Sequence, residues 1–105
     1  MGDYSVDFGN ISWESVYRGQ RQKAYVKGNR RIRLVELNEE YAEEDCCKKE
    51  HLGYVIEGRI TIIFNGKSVI FNEGDGIFIP KGEQNKHKGR IANGEKALII
   101  FVEEL

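Results

Sequence analysis

At 105 residues the chain has room for one domain, which would bury roughly two-thirds of its unfolded surface, and too little for a second core. Sixteen Lys and Arg against seventeen Asp and Glu leave a net charge of −1, so no overall field draws it to nucleic acid or an anionic membrane, and neither partner is expected. The apolar runs, such as residues 97–102, fall far short of a bilayer span. The opening MGDYSVDF lacks the charged-then-apolar layout of a secretion signal, so a cytoplasmic location is expected. Cys46 and Cys47 are the only cysteines and are adjacent, which disfavours a bridge between them and predicts reduced thiols.

In chain order, residues 1–20 read as an N-terminal segment in which Trp13 and Tyr17 staple the chain onto a barrel formed by residues 21–105. RQKAYV is a strand that puts Arg21, Lys23 and Tyr25 on one face. After Gly28-Asn29 comes a second strand, in which Ile32, Leu34 and Glu36 alternate with Arg31, Arg33 and Val35; either set can face inward. NEEYAEEDCCKKE is charge-dense and aperiodic, and reads as a loop leading into the strand HLGYVIEG. RITIIF and KSVIF flank Asn65-Gly66, which predicts a type I′ hairpin because both positions tolerate positive φ. Then come turn NEGDG, strand GIFIP, turn KGEQN, strand KHKGRI, turn ANGE and strand KALIIFVEE. Many short strands without a helical period predict an all-β sandwich, jelly roll or small barrel, whose closure hides the strand edges.

The turn residues then become specific. Gly74, Pro80 and Gly82 in GDGIFIPKG keep the spacing of the second cupin motif, and His51 and Gly58 in HLGYVIEG fall where the first motif has its metal-binding Glu and closing Gly. Over roughly residues 31–103 the chain resembles the cupin superfamily, as a small single-domain (type-2) member. The resemblance implies a cupin double-stranded β-helix, or jelly-roll barrel, with a pocket in its mouth. It also implies a His-x-His, a Glu and a further His as metal ligands, a set this sequence lacks. Asp45 and Cys47 stand at the His-x-His positions, or Glu44 and Cys46 with a spacing one longer, and Asn85 stands at the second-motif His.

A substitute set is available. Residues two apart on a strand share a face, so His87 would point with Asn85 into the pocket, where His51 is also placed by the Glu position. His51 and His87 with Cys47, or with an acidic side chain from positions 44–45, make a borderline-soft set suited to a divalent transition metal: zinc, iron or copper. Without a metal, His51 is the candidate acid–base catalyst, with Asn85 and His87 orienting a substrate oxygen. Arg21, Lys23 and Tyr25 would bind an anionic ligand group if their face is inward, and form a solvated edge strand if it is not. Arg31 and Arg33 carry the same ambiguity. Cupins include dioxygenases, isomerases, decarboxylases and sugar-binding sensors, so two functional expectations stand. One is small-molecule binding with a transition metal in the barrel mouth; the other is a non-catalytic ligand sensor or accessory cupin that has lost its metal. A homodimer is expected, because the chain has more apolar strand positions than one inner face can bury.

Overall fold

The structure is a computed structural model that describes residues 4–105; residues 1–3, part of the stretch read for a secretion signal, lie outside the described residues. Among the described residues eight strands follow in order: β1 (Glu14–Tyr17), β2 (Gln20–Lys27), β3 (Arg30–Leu37), β4 (His51–Phe64), β5 (Lys67–Asn72), β6 (Gly76–Ile79), β7 (His87–Arg90) and β8 (Ala97–Glu104). All pairings are antiparallel. The only helical elements among the described residues are 3₁₀ turns at Phe8–Asn10 and Glu83–Asn85, so the all-β expectation holds. None of the described residues forms a helix long and apolar enough to cross a membrane.

One sheet runs β1-β2-β3-β8-β4, with β6 along the far side of the first half of β4; the second half of β4 is flanked by β5 and β7. The runs HLGYVIEG and RITIIF are therefore one strand that passes from one sheet to the other. A bulge between Val55 and Glu57 re-aims the chain, and Gly58 follows with φ +77°. A Cβ at Gly58 would lie 1.8 Å from the Lys96 carbonyl oxygen, so both the turn and the close approach of β8 require glycine there. The β4–β5 hairpin closes through Asn65 and Gly66 at φ +39° and +85°, as the Asn-Gly dipeptide predicts. Residues 38–50 form the expected loop, pinned by bridges of Ala42 to Arg90 and Cys47 to His87.

Register settles which face of β3 is inside. Val35 pairs with Ile99, and Ile99 with Val55; these three side chains are fully buried, which puts Arg31, Arg33, Val35 and Leu37 on the concave face. Ile60, Ile62, Ile77, Ile79 and Ile91 join them in the core with Tyr41 and Ala97, each buried branched side chain contributing about 1.5–3 kcal/mol of transfer free energy.

The same register carries Arg21, Lys23 and Tyr25, paired with Glu36, Leu34 and Ile32, to the convex face. Of the two alternatives for these residues, the one in which Arg21, Lys23 and Tyr25 line the pocket mouth as ligand-binding side chains is therefore corrected: parity turns them away from the cavity. The N-terminal segment packs against them there. Trp13 lies under the Arg21 guanidinium (4.4 Å) and near Lys23 Nζ (4.9 Å), while Lys23 Nζ donates to the Phe8 carbonyl at 2.9 Å.

Candidate metal centre and cavity

The concave side of the curled sheet holds an open cavity of about 1130 Å³, roomy for a small-molecule site. Its deep walls are Val35, Leu37, Ile60, Ile62, Ile77 and Ile79, with Tyr41 and Glu43 from the 38–50 loop at one side. Glu43 is held by the Gly89 backbone N–H, which donates to its Oε1 at 2.8 Å. Burial first, then the neighbouring Glu43 carboxylate, push the Tyr41 hydroxyl well above its ordinary pKa, so it stays protonated. The rim carries exposed charged side chains, including Arg30, Lys49, Glu50 and Lys81.

Three side chains with metal-ligating atoms converge on the cavity wall. Cys47 lies on the loop, His51 opens β4 and His87 opens β7, and one ligand atom from each lies within 4.8 Å of the others. Backbone pairing sets this up. Cys47 and His87 exchange two hydrogen bonds, of 2.7 and 3.0 Å, and the Pro80 that ends β6 follows Ile79, the partner of His51. The imidazole rings meet edge to face, with centroids 5.0 Å apart, and His51 Nε2 lies 3.4 Å from Cys47 Sγ. His87, only 3% exposed, directs Nδ1 at the Asn85 carbonyl oxygen at 2.9 Å. That contact makes Nδ1 the protonated nitrogen and leaves the Nε2 lone pair free, the arrangement by which a carbonyl usually orients a metal-binding imidazole.

Burial, then the proximity of His87 and the Arg33 guanidinium, push the His51 pKa down to about 4. At neutral pH His51 is therefore neutral, with a lone pair to offer. Its Nε2 faces Cys47, while its Nδ1 is buried without a hydrogen-bond partner among the described residues. Two imidazoles and a thiol, with the His87 ring already oriented by the Asn85 carbonyl and His51 kept neutral by burial, fit a borderline-soft cation such as zinc, iron or copper.

Of the residues expected at the site, His51, His87 and Cys47 are brought together. Asn85 is not on the strand with His87: it ends the 3₁₀ turn Glu83–Asn85, its side chain does not line the cavity, and its contribution is a backbone carbonyl. The shared-face argument for Asn85 is corrected for this reason, since the two-residue period applies only within a strand. Glu44, Asp45 and Cys46 are exposed and line none of the cavity. Arg33, Phe101 and Glu103 line it beside His51, with the Phe101 ring centroid 5.5 Å from that of His51. The alternation Ala97, Ile99, Phe101, Glu103 in KALIIFVEE was the available signal for the last two.

The comparisons agree with this architecture. Several solved structures share the fold at low identity. The polyketide cyclase RemF from Streptomyces resistomycificus matches with a TM-score of 0.78 and 20% identity, over 93% of this chain and 76% of its own. A sugar phosphate isomerase from Silicibacter pomeroyi gives 0.77 and 17%, over 96% and 75%. The EutQ protein of Clostridium difficile gives 0.67 and 25%, over 94% and 74%. No curated relative matches the chain by sequence. The cupin domain itself matches residues 39–103, from the loop that carries Cys47 to the strand that carries Glu103, and the chain belongs to the cupin family.

Proposed function

We propose that this cupin binds a small molecule in its cavity at a divalent transition metal held by Cys47, His51 and His87. The observation that carries this reading is the convergence of three soft or borderline donors within 4.8 Å on a cavity wall. Three protein ligands leave a fourth tetrahedral position for water or ligand, the form that reactive rather than purely structural zinc sites take. When bound, the metal supplies Lewis acidity to a coordinated oxygen. The chain's own residues do the rest: His87 is aligned by the Asn85 carbonyl, His51 is kept neutral by burial, and the isoleucines give the cavity an apolar wall. The cyclase and isomerase relatives show that cupins of this shape serve different reactions, so the reaction depends on the site rather than the fold.

Elemental analysis of untagged protein, followed by cobalt(II) titration of the chelator-treated chain, tests the reading. One equivalent of cobalt should produce a thiolate-to-cobalt charge-transfer absorption that Cys47→Ser abolishes. A chain that takes up neither zinc nor cobalt at micromolar concentration supports the alternative of a ligand sensor without metal, which the missing His-x-His and Glu favour.

We further propose that a second copy of the chain covers the convex face. The row Tyr25, Ile32, Val102, Leu52 and Phe78 crosses five strands there, with Leu34, Ile100 and Tyr54 beside it. Phe78 is 77% exposed, Tyr54 49% and Val102 44%, so large apolar side chains of this face stand open to water, where a partner would cover them. Phe78→Arg combined with Val102→Glu should convert a dimer to monomer in sedimentation equilibrium at micromolar concentration. A wild-type monomer under the same conditions contradicts the proposal.

A further inference from the structure

Beside the metal-ligating cluster, one carboxylate is shared by two arginines. Glu103 on β8 is the register partner of Arg31 on β3, and all three side chains of the cluster face the cavity. Arg33 is fully committed. Its Nε and Nη2 donate to the two oxygens of Glu103, its Nη1 donates to Gln22 Oε1 at 2.9 Å, and its guanidinium carbon lies 5.4 Å from the Phe101 ring centroid. Arg31 donates to Glu103 through Nε alone, at 2.9 Å, and its two terminal amino groups have no hydrogen-bond partner among the described residues.

The charge of this cluster is fixed. Burial works to raise the Glu103 pKa, but the hydrogen bonds and charges of Arg31 and Arg33 outweigh it and hold the carboxyl below its ordinary value. Two guanidiniums and one carboxylate leave a single net positive charge, with side-chain exposures of only 31% for Arg31, 12% for Arg33 and 14% for Glu103. Arg31 is the member of the cluster that still reaches water, so its terminal amino groups stand open to an anion in the cavity.

We propose that Arg31, held in place by the Arg33–Glu103 pair, receives the carboxylate of a small and otherwise apolar acid whose body lies along Phe101 and the isoleucine wall towards Cys47, His51 and His87. The proposal rests on the reading of the cavity as a small-molecule site and names the class of molecule it takes. Charge and shape select a carboxylate. The free edge of a guanidinium matches a planar two-oxygen group in a bidentate pair, and one net positive charge is neutralised by one carboxylate. A phosphate dianion would leave surplus negative charge against Glu103. The apolar body follows from the remaining wall of Val35, Ile60, Ile62 and Ile77. The position follows from Phe101, which touches both the His51 ring and the Arg33 guanidinium and so joins the two clusters.

The test is calorimetric titration of the chelator-treated full chain with benzoate, its neutral analogue benzyl alcohol, and phenyl phosphate. Benzoate should bind at least tenfold more tightly than either of the others. Arg31→Gln should lower benzoate affinity at least tenfold, to the level of benzyl alcohol, and Arg31→Lys should restore part of it. Equal binding of benzoate and benzyl alcohol, tighter binding of phenyl phosphate, no benzoate binding, or an unchanged affinity in Arg31→Gln each overturns the proposal. Cobalt titration of the same variant separates this result from the metal reading: Arg31→Gln should keep the charge-transfer absorption. If the wild type shows no such absorption while benzoate still discriminates through Arg31, the metal reading fails and the carboxylate subsite stands.

Discussion

His87→Ala is expected to weaken zinc binding by on the order of a hundredfold. A zinc site of four ligands binds with about 10–16 kcal/mol, so one of its donors accounts for about 3 kcal/mol, or two decades in affinity. His87 is the best prepared donor of the three, because its ring is buried and its tautomer is set by the Asn85 carbonyl. Asn85→Ala is the informative comparison. Alanine retains the backbone carbonyl that orients the imidazole, so its zinc affinity should stay within tenfold of wild type, whereas a site using the Asn85 side chain would lose much more. Cys46→Ser should also leave affinity unchanged, since Cys46 is exposed and outside the cluster. Competition against a chromophoric chelator measures all three. Because His87→Ala also leaves a void against Phe64 and His51, its folded fraction should be checked by circular dichroism.

The second large effect is acid destabilisation of the metal-free chain. His51 is held down to about 4 in the folded protein, first by burial, whereas an unfolded imidazole titrates near 6.5. Between these values the unfolded chain binds a proton that the folded chain does not. The contribution is therefore complete above about pH 6.5, declines as pH falls, and is gone below about pH 4, with a full span of about 3 kcal/mol. Glu103, also held below its ordinary pKa, adds a loss in the same direction but only under the usual carboxylate range, so the two windows are distinct. Urea denaturation from pH 7.5 to 4.5 should show the stability of wild type falling while His51→Gln stays comparatively flat. Parallel curves for the two proteins would refute the assignment to His51. Zinc should steepen the wild-type curve, because protons and the metal compete for the same imidazole nitrogens.

Much of the fold was legible because its signals are local. Asn65-Gly66, Gly74, Pro80 and Gly82 each fix a turn by what their own backbone permits, and the spacing from His51 to Gly58 marks where β4 changes sheets. The orientation of β2 and β3 was not legible. Both faces of RIRLVEL carry apolar and charged residues, so the period could not choose, and only the pairing of Val35 with Ile99 across 64 positions of sequence does so. Arg21, Lys23 and Tyr25, like Arg31 and Arg33, were left open between the two faces for that reason. At the site, His51 was findable from motif position and His87 from its two-residue offset to the second-motif His position, but the approach of Cys47 to His87 depends on a bridge made by an aperiodic loop, and Asn85 was misread because the two-residue period of the strand was carried back into the turn KGEQN, which folds as a 3₁₀ turn. Glu43 and Tyr41 sit in that same loop, where dense charge hid which residues turn inward.

X-ray absorption spectroscopy of the zinc-loaded chain reads the ligand set atom by atom. The proposed centre predicts one sulfur at about 2.3 Å and two imidazole nitrogens at about 2.0–2.1 Å in the first shell. A shell of nitrogen and oxygen alone, or a spectrum unchanged in Cys47→Ser, would contradict a metal centre built from Cys47, His51 and His87.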